Sequence, residues 1–443
     1  MSFRENRFDV LIIGAGVLGV TAAYHIKSNN PAKSVLLVDR FSDVSQGNTA
    51  RSNAMFRNTF TSRDNQLLAN STIDFYIDLQ EKSKIDIGIR KTGYLWLMSE
   101  EQLSRNARHI EKMEKRGIET KVFGGGQVKD RIPSLCTDFA PTDEDASLMN
   151  LDPVDGGVFG AKCGRLDPSK LSKFYLERFL NLGGKTSFNT SAQELLLEPK
   201  IPLDIEGEPF VWQDASITGA SLTGDLQGNF RAGRVLLACG AWTNEILWPA
   251  GIDGHVKAKK RQLFKIASNE KLAGLLRCPG FNNLGDLPFL ILPKSGCFAK
   301  AIPESREFWV GCDDNLGREY IDIPARDLDE YKAEPQYYER NLHAILRKYL
   351  PQFENARPDR MWAGLYSYNT LDYLPFVFEE GGIIVIGGDS GSGIMKADSL
   401  GRIADALYRE GDGAEATLFS GERYLVKKLG FASRDVEREE WVI

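Results

Sequence analysis

The sequence predicts an α/β fold, and three features carry that expectation. An apolar strand runs into a glycine-rich turn near the start, two further strand–glycine–helix units lie far downstream, and short extended runs punctuated by turns fill the space between. Phe8-Asp9-Val10-Leu11-Ile12-Ile13 is a short run rich in β-branched residues and reads as a buried strand of a parallel sheet. It leads into Gly14-Ala15-Gly16-Val17-Leu18-Gly19 and then into residues 20–27, which have helix length and an apolar face. A second strand over 34–38 ends in Asp39, 20 positions beyond Gly19 (39 − 19).

Each part of this β-α-β unit has a physical task. Gly14 permits the tight turn, Gly16 lets the backbone approach a pyrophosphate, and Gly19 lets the helix pack on the strand. The helix N-terminus presents free N–H groups and a positive dipole end to phosphates, and Val17 and Leu18 of the turn are expected among the cofactor contacts. Asp39 can accept hydrogen bonds from ribose hydroxyls. Strand, glycines, helix, second strand and acid fall in register, which points to a Rossmann-type dinucleotide site.

Residues 234–242 form a strand that ends in Ala238 and a turn at Gly240, with Trp242 beyond it. Ile383-Ile384-Val385-Ile386 is another strand, followed by Gly387-Gly388-Asp389-Ser390-Gly391-Ser392-Gly393. A helix with Ile403, Ala404, Ala406, Leu407 and Tyr408 on its apolar face comes next. Both units bring glycine-rich backbone to the carboxyl end of a strand, where open α/β sheets bind ligands; ordinary turns without a ligand are the alternative. Residues 187–232 read as a small antiparallel meander, 90–98 as a strand and 337–349 as a helix. The expected organisation is a discontinuous nucleotide-binding unit over 1–60, 151–255 and 361–415. A second, α+β unit built on an antiparallel sheet is expected over 61–150 and 256–360, and 416–443 reads as a charged tail, part surface helix and part extended.

Composition removes several classes of function. The 443 residues are 42% hydrophobic, and 55 Lys+Arg against 61 Asp+Glu give a net charge of −6, so there is no basic footprint for a nucleic acid. No apolar run approaches the roughly 20 residues that span a bilayer, and Met1-Ser2-Phe3-Arg4 does not open a signal peptide. A cytoplasmic protein, with peripheral membrane association left open, is the expectation. Six cysteines lack CxxC spacing and four histidines lack metal-ligand spacing, so no metal is expected. His25 reads as structural, and the basic run 257–261 as a solvated turn. A histidine-based hydrolase is hard to build here, which leaves the chemistry to a bound cofactor.

Three distant segments converging on one site favour a large cofactor held along its length, FAD rather than an exchanging nicotinamide. At this level the sequence resembles the D-amino acid oxidase superfamily of FAD-dependent amino acid and amine oxidoreductases, which includes glycine oxidase and sarcosine oxidase or dehydrogenase. The resemblance rests on GAGVLG, GNTARSN after Asp39, Gly164-Arg165-Leu166-Asp167-Pro168, LLACGAWTN, MWAGLY at 361–366 and GGDSGSGIMKADSLG at 387–401, in that order. Arg51-Ser52-Asn53 with Arg57 and Phe60 resembles the segment that passes the flavin in sarcosine and dye-linked L-proline dehydrogenases.

The resemblance implies a cofactor site that includes Arg40, Asn48, Thr49, Arg51, Ser52, Gly364, Ile394, Met395 and Lys396 besides the glycine turns. In glycine oxidase-like members an arginine that grips the substrate carboxylate sits where Tyr366 stands. Monomeric sarcosine oxidases attach their flavin through a cysteine where this chain has Gly364, which implies non-covalent FAD. Their lysine that promotes reaction with oxygen aligns with Trp309; a cation there would stabilise developing superoxide, and an indole cannot. A dehydrogenase handing electrons to an external acceptor (a quinone, a dye or an electron-transfer protein) is therefore expected, with an oxidase, a 2-hydroxy acid dehydrogenase or a non-catalytic flavoprotein partner as alternatives.

The substrate expected is a small amine or amino acid, proline- or sarcosine-like, losing hydride from its α-carbon to flavin N5. Backbone N–H groups over 391–395, at the start of a helix, would stabilise the reduced flavin. Arg57 is the candidate for the carboxylate grip, since a guanidinium offers a planar bidentate fit, with Lys396 in reserve. A phosphate contact or a structural ion pair is the competing role for Arg57. Tyr366 and Tyr368 would wall the pocket or simply pack in the core, and Trp242 would pack near the adenine end.

Overall fold

The computed structural model describes residues 6–293, 295–313 and 317–441. Its first sheet runs, in spatial order, Phe376–Glu380, Ile383–Gly387, Gly228–Leu237, Arg7–Ile13, Val35–Val38 and Lys185–Ser187. All neighbours are parallel except the Phe376–Glu380 edge. Ile12 sits between Leu37 and Leu236 at the centre. Alternate residues of these strands serve two cores. Val10, Ile12, Leu37 and Leu236 pack under the helices, while Leu11, Ile13, Leu36 and Leu237 pack under the meander. Burial on both faces is why the strands read as continuous apolar runs.

The helix Val17–Asn29 lies close on the first strand because Gly19 has no side chain: a Cβ there would stand 1.8 Å from the Gly14 carbonyl oxygen. His25 is structural as expected; its Nε2 lies 2.8 Å from Asp398 Oδ1 in the contact between this helix and Ala397–Glu410. The meander is Thr190–Pro199, Ala215–Gly224 and Gly228–Leu237, antiparallel throughout. The expected helix over 337–349 falls within a helical stretch over 335–349, and the expected strand over 90–98 is narrower, Tyr94–Met98.

The second sheet has the order Arg360–Asn369, Val256–Ala267, Glu307–Cys312, Cys297–Ile302, Phe289–Ile291, Tyr94–Met98, Gly156–Gly160 and Thr120–Gly124. Its pairs are antiparallel apart from Phe289–Ile291 with Tyr94–Met98. Two segments differ from the sequence reading. Gly156–Gly160 and Arg360–Asn369, expected beside the nucleotide, hydrogen-bond into this second sheet through Tyr94–Met98 and Val256–Ala267. The basic run 257–261 is not a solvated turn; it lies within the 12-residue strand Val256–Ala267, where Lys259 and Arg261 are buried.

The tail also departs from expectation. After Glu410 the chain forms a hairpin, Glu415–Thr417 with Arg423–Leu425, and a single turn over Val426–Leu429. It then continues through a turn and a stretch without helix or strand until Trp441 is buried beside Trp96. Among the described residues no helix is long and apolar enough to cross a membrane.

Candidate active site

A cavity of about 370 Å³ opens where the carboxyl ends of the parallel strands face the second sheet. Three of its walls are the expected glycine turns. Gly14, Gly16, Val17 and Leu18 come from the first, Ala238, Gly240 and Trp242 from the second, and Asp389, Ser390, Gly391, Gly393, Ile394 and Met395 from the third. Asp39, Arg40, Asn48, Thr49, Arg51, Ser52, Gly364, Arg57 and Tyr366 line it as well.

At the nucleotide end, Gly14 has φ +101° and a Cβ there would meet the Ala238 carbonyl oxygen at 2.5 Å, so only glycine closes this turn. Asp39 accepts from the Ala15 N–H (2.6 Å) and the Phe41 N–H (2.9 Å), and burial nevertheless raises its carboxyl above the ordinary range. The Val17 N–H is given to Thr49 Oγ1 (3.2 Å), so this group expected to serve a phosphate is partly occupied by the protein. Arg40 stacks over Trp242 at 4.2 Å, and its Nη2 is buried without a hydrogen-bond partner. An orphaned donor at the edge of a glycine-built cleft is what an adenine nucleotide would satisfy, so the residues present fit FAD.

Several expected cofactor contacts do other work. Arg51 donates to the Leu328 and Ala363 carbonyls (both 3.1 Å) and pairs with Asp329 (2.7 Å), tying a surface turn to the strand Arg360–Asn369. Asn48 Oδ1 accepts from the Leu365 N–H (2.8 Å), and Ser52 donates to the Thr49 carbonyl (2.7 Å). Gly19 and Gly388 do not line the cavity: Gly19 serves the helix–strand contact, and Gly388 faces Phe376 and Asn369. Gly391 does, with φ +83°, and a Cβ there would stand 2.3 Å from the Tyr366 ring.

Lys396 is placed differently from expectation. Its ammonium donates to Ser392 Oγ (2.6 Å) and lies over the Phe60 ring, buried behind the cavity wall, where desolvation pulls it down to about 7. Tyr368 likewise sits behind the wall; its hydroxyl accepts from Arg261 Nη2 at 2.7 Å, and only Tyr366 of the pair lines the cavity.

Arg57 lines the cavity and is buried. Nη1 donates to the Thr59 carbonyl (2.5 Å), Nη2 to the Trp441 carbonyl (3.4 Å), and the guanidinium lies 4.2 Å over Phe60. Among the described residues no carboxylate is within ion-pair distance of it. Burial lowers its ionisation and Glu439 is the foremost charge opposing that shift. The expected structural ion pair for Arg57 is therefore not formed by any described side chain.

Sequence reasoning passed over four residues of this region. Arg261, with Asp313 at 2.9 Å from its Nε, stands on the cavity wall beside Tyr366; burial lowers its ionisation, Asp313 and the tyrosines oppose that, and the net shift is upward. Tyr94 lines the cavity from the second sheet. Lys300 is buried, donates to the Asn53 carbonyl (2.6 Å) and sits 4.2 Å over Trp309; desolvation brings it down to about 7. The inference from an indole at 309 is thus weakened, because a cation stands on the neighbouring strand. The available signal for Arg261 was the apolar set Val256, Leu263, Phe264 and Ile266, which marks a strand around the basic run. Among the described residues no group of three acidic, cysteine or histidine side chains could hold a metal.

Comparison with known proteins agrees with this fold. At 23% identity over 426 residues, the chain is similar to FAD-dependent oxidoreductase domain-containing protein 1 of Xenopus laevis, covering 92% of this chain and 80% of that one. Monomeric sarcosine oxidase of Bacillus sp. (strain B-0618) is 22% identical over 96% of this chain and 98% of its own. Among solved structures, L-proline dehydrogenase from P. horikoshii superposes with a TM-score of 0.71 at 20% identity, covering 92% of this chain and 94% of that one. Glycine oxidase from Geobacillus kaustophilus gives 0.67 at 18%, covering 94% and 99%. The profile of the DAO family, described as FAD dependent oxidoreductase, matches residues 9–407, and with that span of the chain matched, the protein belongs to this family.

Proposed function

We propose that the chain is an FAD-dependent dehydrogenase of a secondary amine or amino acid, proline- or sarcosine-like, that holds its FAD without a covalent bond and passes electrons to an external acceptor. The observation that carries the reading is Arg57, a buried guanidinium on the cavity wall whose contacts are two carbonyls and an aromatic face. Burying a charge without a carboxylate is unfavourable, and a substrate carboxylate entering the cavity would supply the missing charge-assisted pair. The names of relatives and neighbours, sarcosine oxidase and L-proline dehydrogenase, support the same substrate class.

When bound, FAD supplies a hydride acceptor for the α-carbon of the substrate. The chain's own residues bind and orient. Arg57 fixes the carboxylate end, while Tyr366, held against Gly391 and beside Tyr368, walls the pocket. Asp389 stays a structural carboxyl: Ser367 Oγ (2.5 Å) and the Gly393 N–H (2.9 Å) donate to it, and burial raises it. No cavity group is needed as an obligatory base if the substrate enters as the free amine.

One observation favours a second reading, a peroxide-forming oxidase: Lys300 puts a buried amine beside Trp309, and as a cation it could stabilise superoxide. A panel of amines, amino acids and 2-hydroxy acids mixed anaerobically with the yellow enzyme tests substrate class. Bleaching by proline or sarcosine supports the proposal, whereas bleaching by hydroxy acids alone, or by nothing, refutes it. Rapid return of the yellow colour on admitting air selects the oxidase.

A further inference from the structure

We propose that residues 437–441 are part of the substrate site, acting as a strap that positions Arg57 and holds its charge in balance. This rests on the reading of Arg57 given above. The strap belongs to no helix or strand, and its burial alternates: Glu437 and Glu439 are partly buried and Trp441 is buried, while Arg438 and Glu440 are exposed. Three inward residues at period two are what a docked segment requires, and each finds a prepared receiver.

Glu439 is the central one. Its Oε1 accepts from the Thr61 N–H and the Thr61 hydroxyl (both 2.8 Å) and from the Trp441 N–H (3.0 Å). Its Oε2 accepts from the Ser62 N–H (3.2 Å) and Asn65 Nδ2 (2.9 Å). All of these donors except the Trp441 N–H lie at the N-terminus of the helix Arg63–Glu81, where a carboxylate also meets the positive end of the dipole. Glu437 accepts from the Arg63 N–H (2.6 Å) and pairs with Lys112 and Arg116. Trp441 lies edge-on to Trp96 at 5.5 Å, in the same apolar cluster as Met55, Tyr94 and Phe289, all of which line the cavity.

The consequence for Arg57 is direct. Of the two carbonyls that fix its guanidinium, one belongs to Trp441 of the strap and the other to Thr59, two residues before the Thr61 that Glu439 grips. Glu439 is also the foremost opposing charge for both buried basic groups nearby, Arg57 on the wall and Lys396 behind it. With the strap in place the guanidinium is held in one position and kept charged without direct contact from a carboxylate, so a substrate carboxylate can still take that contact. Without it, Arg57 loses a carbonyl partner and the segment over 57–62 loses its anchor.

The test uses the FAD-loaded full chain, a variant ending at Arg438, Glu439→Gln, Trp441→Phe and Arg57→Met. Benzoate, a flat carboxylate probe, is titrated while the visible flavin band is followed, and KM and kcat for L-proline are measured with a dye acceptor. The shortened chain should keep its FAD, weaken benzoate binding and raise KM by about ten- to a hundredfold, with kcat changed by less than about threefold, the loss of a positioned charge-assisted contact. Glu439→Gln should weaken binding in part. Trp441→Phe, which retains the carbonyl but gives up part of the edge-on contact with Trp96, should weaken binding less than ending the chain at Arg438 does.

In the Arg57→Met background, ending the chain at Arg438 should add no more than about a further twofold, since the two changes act on one contact. Unchanged benzoate affinity in the shortened chain, or an equally large loss in the Arg57→Met background, overturns the strap. If the shortened chain fails to fold, unchanged affinity in Glu439→Gln overturns it. Unchanged affinity in Arg57→Met alone refutes the reading of Arg57 itself.

Discussion

Gly19→Ala is the sharpest perturbation of the cofactor end. The new methyl carbon would stand 1.8 Å from the Gly14 carbonyl oxygen and 3.3 Å from the Ala238 side chain. Gly14 resists displacement, because it sits at φ +101° and its N–H is tied to the Val38 carbonyl at 2.9 Å. The helix Val17–Asn29 must therefore move. Reaching an ordinary contact near 3.4 Å takes about 1.6 Å of displacement, in an interior that is packed like a crystal. Overpacking of this kind costs about 1–3 kcal/mol, and here it also drags the helix N-terminus from the cleft and stretches the Val17–Thr49 hydrogen bond of 3.2 Å. We expect FAD affinity to fall at least about tenfold and the melting temperature of the FAD-free protein to drop by a few degrees. Both are measured on purified protein, by flavin fluorescence quenching and by a thermal scan without added FAD. Wild-type affinity together with an unchanged melting temperature would refute the assignment of this turn as the nucleotide cradle.

Two further outcomes follow from the same geometry. Acid precipitation should leave all the FAD in the supernatant: Gly364 carries no thiol, and Cys239 on the cavity wall is pushed up to about 12 by burial and so lacks thiolate character. A yellow pellet would refute non-covalent binding and direct attention to Cys312, the other thiol on the wall. Burial brings Lys300 from 10.5 down to about 7, so between those values the folded protein has shed a proton that the unfolded chain retains. Its contribution to stability therefore rises with pH through that window, and the full burden of the buried charge is felt below it. The melting temperature of Lys300→Met relative to the native chain should be most favourable near pH 6 and become less so by pH 9; a difference independent of pH would contradict the shift.

The parts legible in the sequence are those whose physics is local. The turn at 14–19 and the glycines at 391 and 393 answer to steric demands on the backbone, the acid at 39 closes the second strand in register, and the structure brings these segments to one cleft. The short apolar runs identified the parallel strands because burial on both faces leaves no polar alternation to mask them. Arg261 was hidden for the opposite reason. Its basic neighbours suggested solvent, yet pairing with Gly364 in the strand Arg360–Asn369 carries the guanidinium to the cavity wall. The tail misled in the same way, its charges finding Lys112, Arg116 and a helix N-terminus rather than water.

By itself the sequence determined the nucleotide cleft, because steric demands on glycine and the register of strand, turn and helix are written in consecutive residues. It also named Arg57 as a cation of the site. Only the tertiary structure decided what surrounds that cation: Lys396 and Tyr368 stand behind the wall, Lys300 stands beside Trp309, and Trp441 arrives from 384 residues away to meet the guanidinium. The balance of charge at a buried site depends on which groups share its low-dielectric surroundings, and that is set by the folding of distant segments against one another.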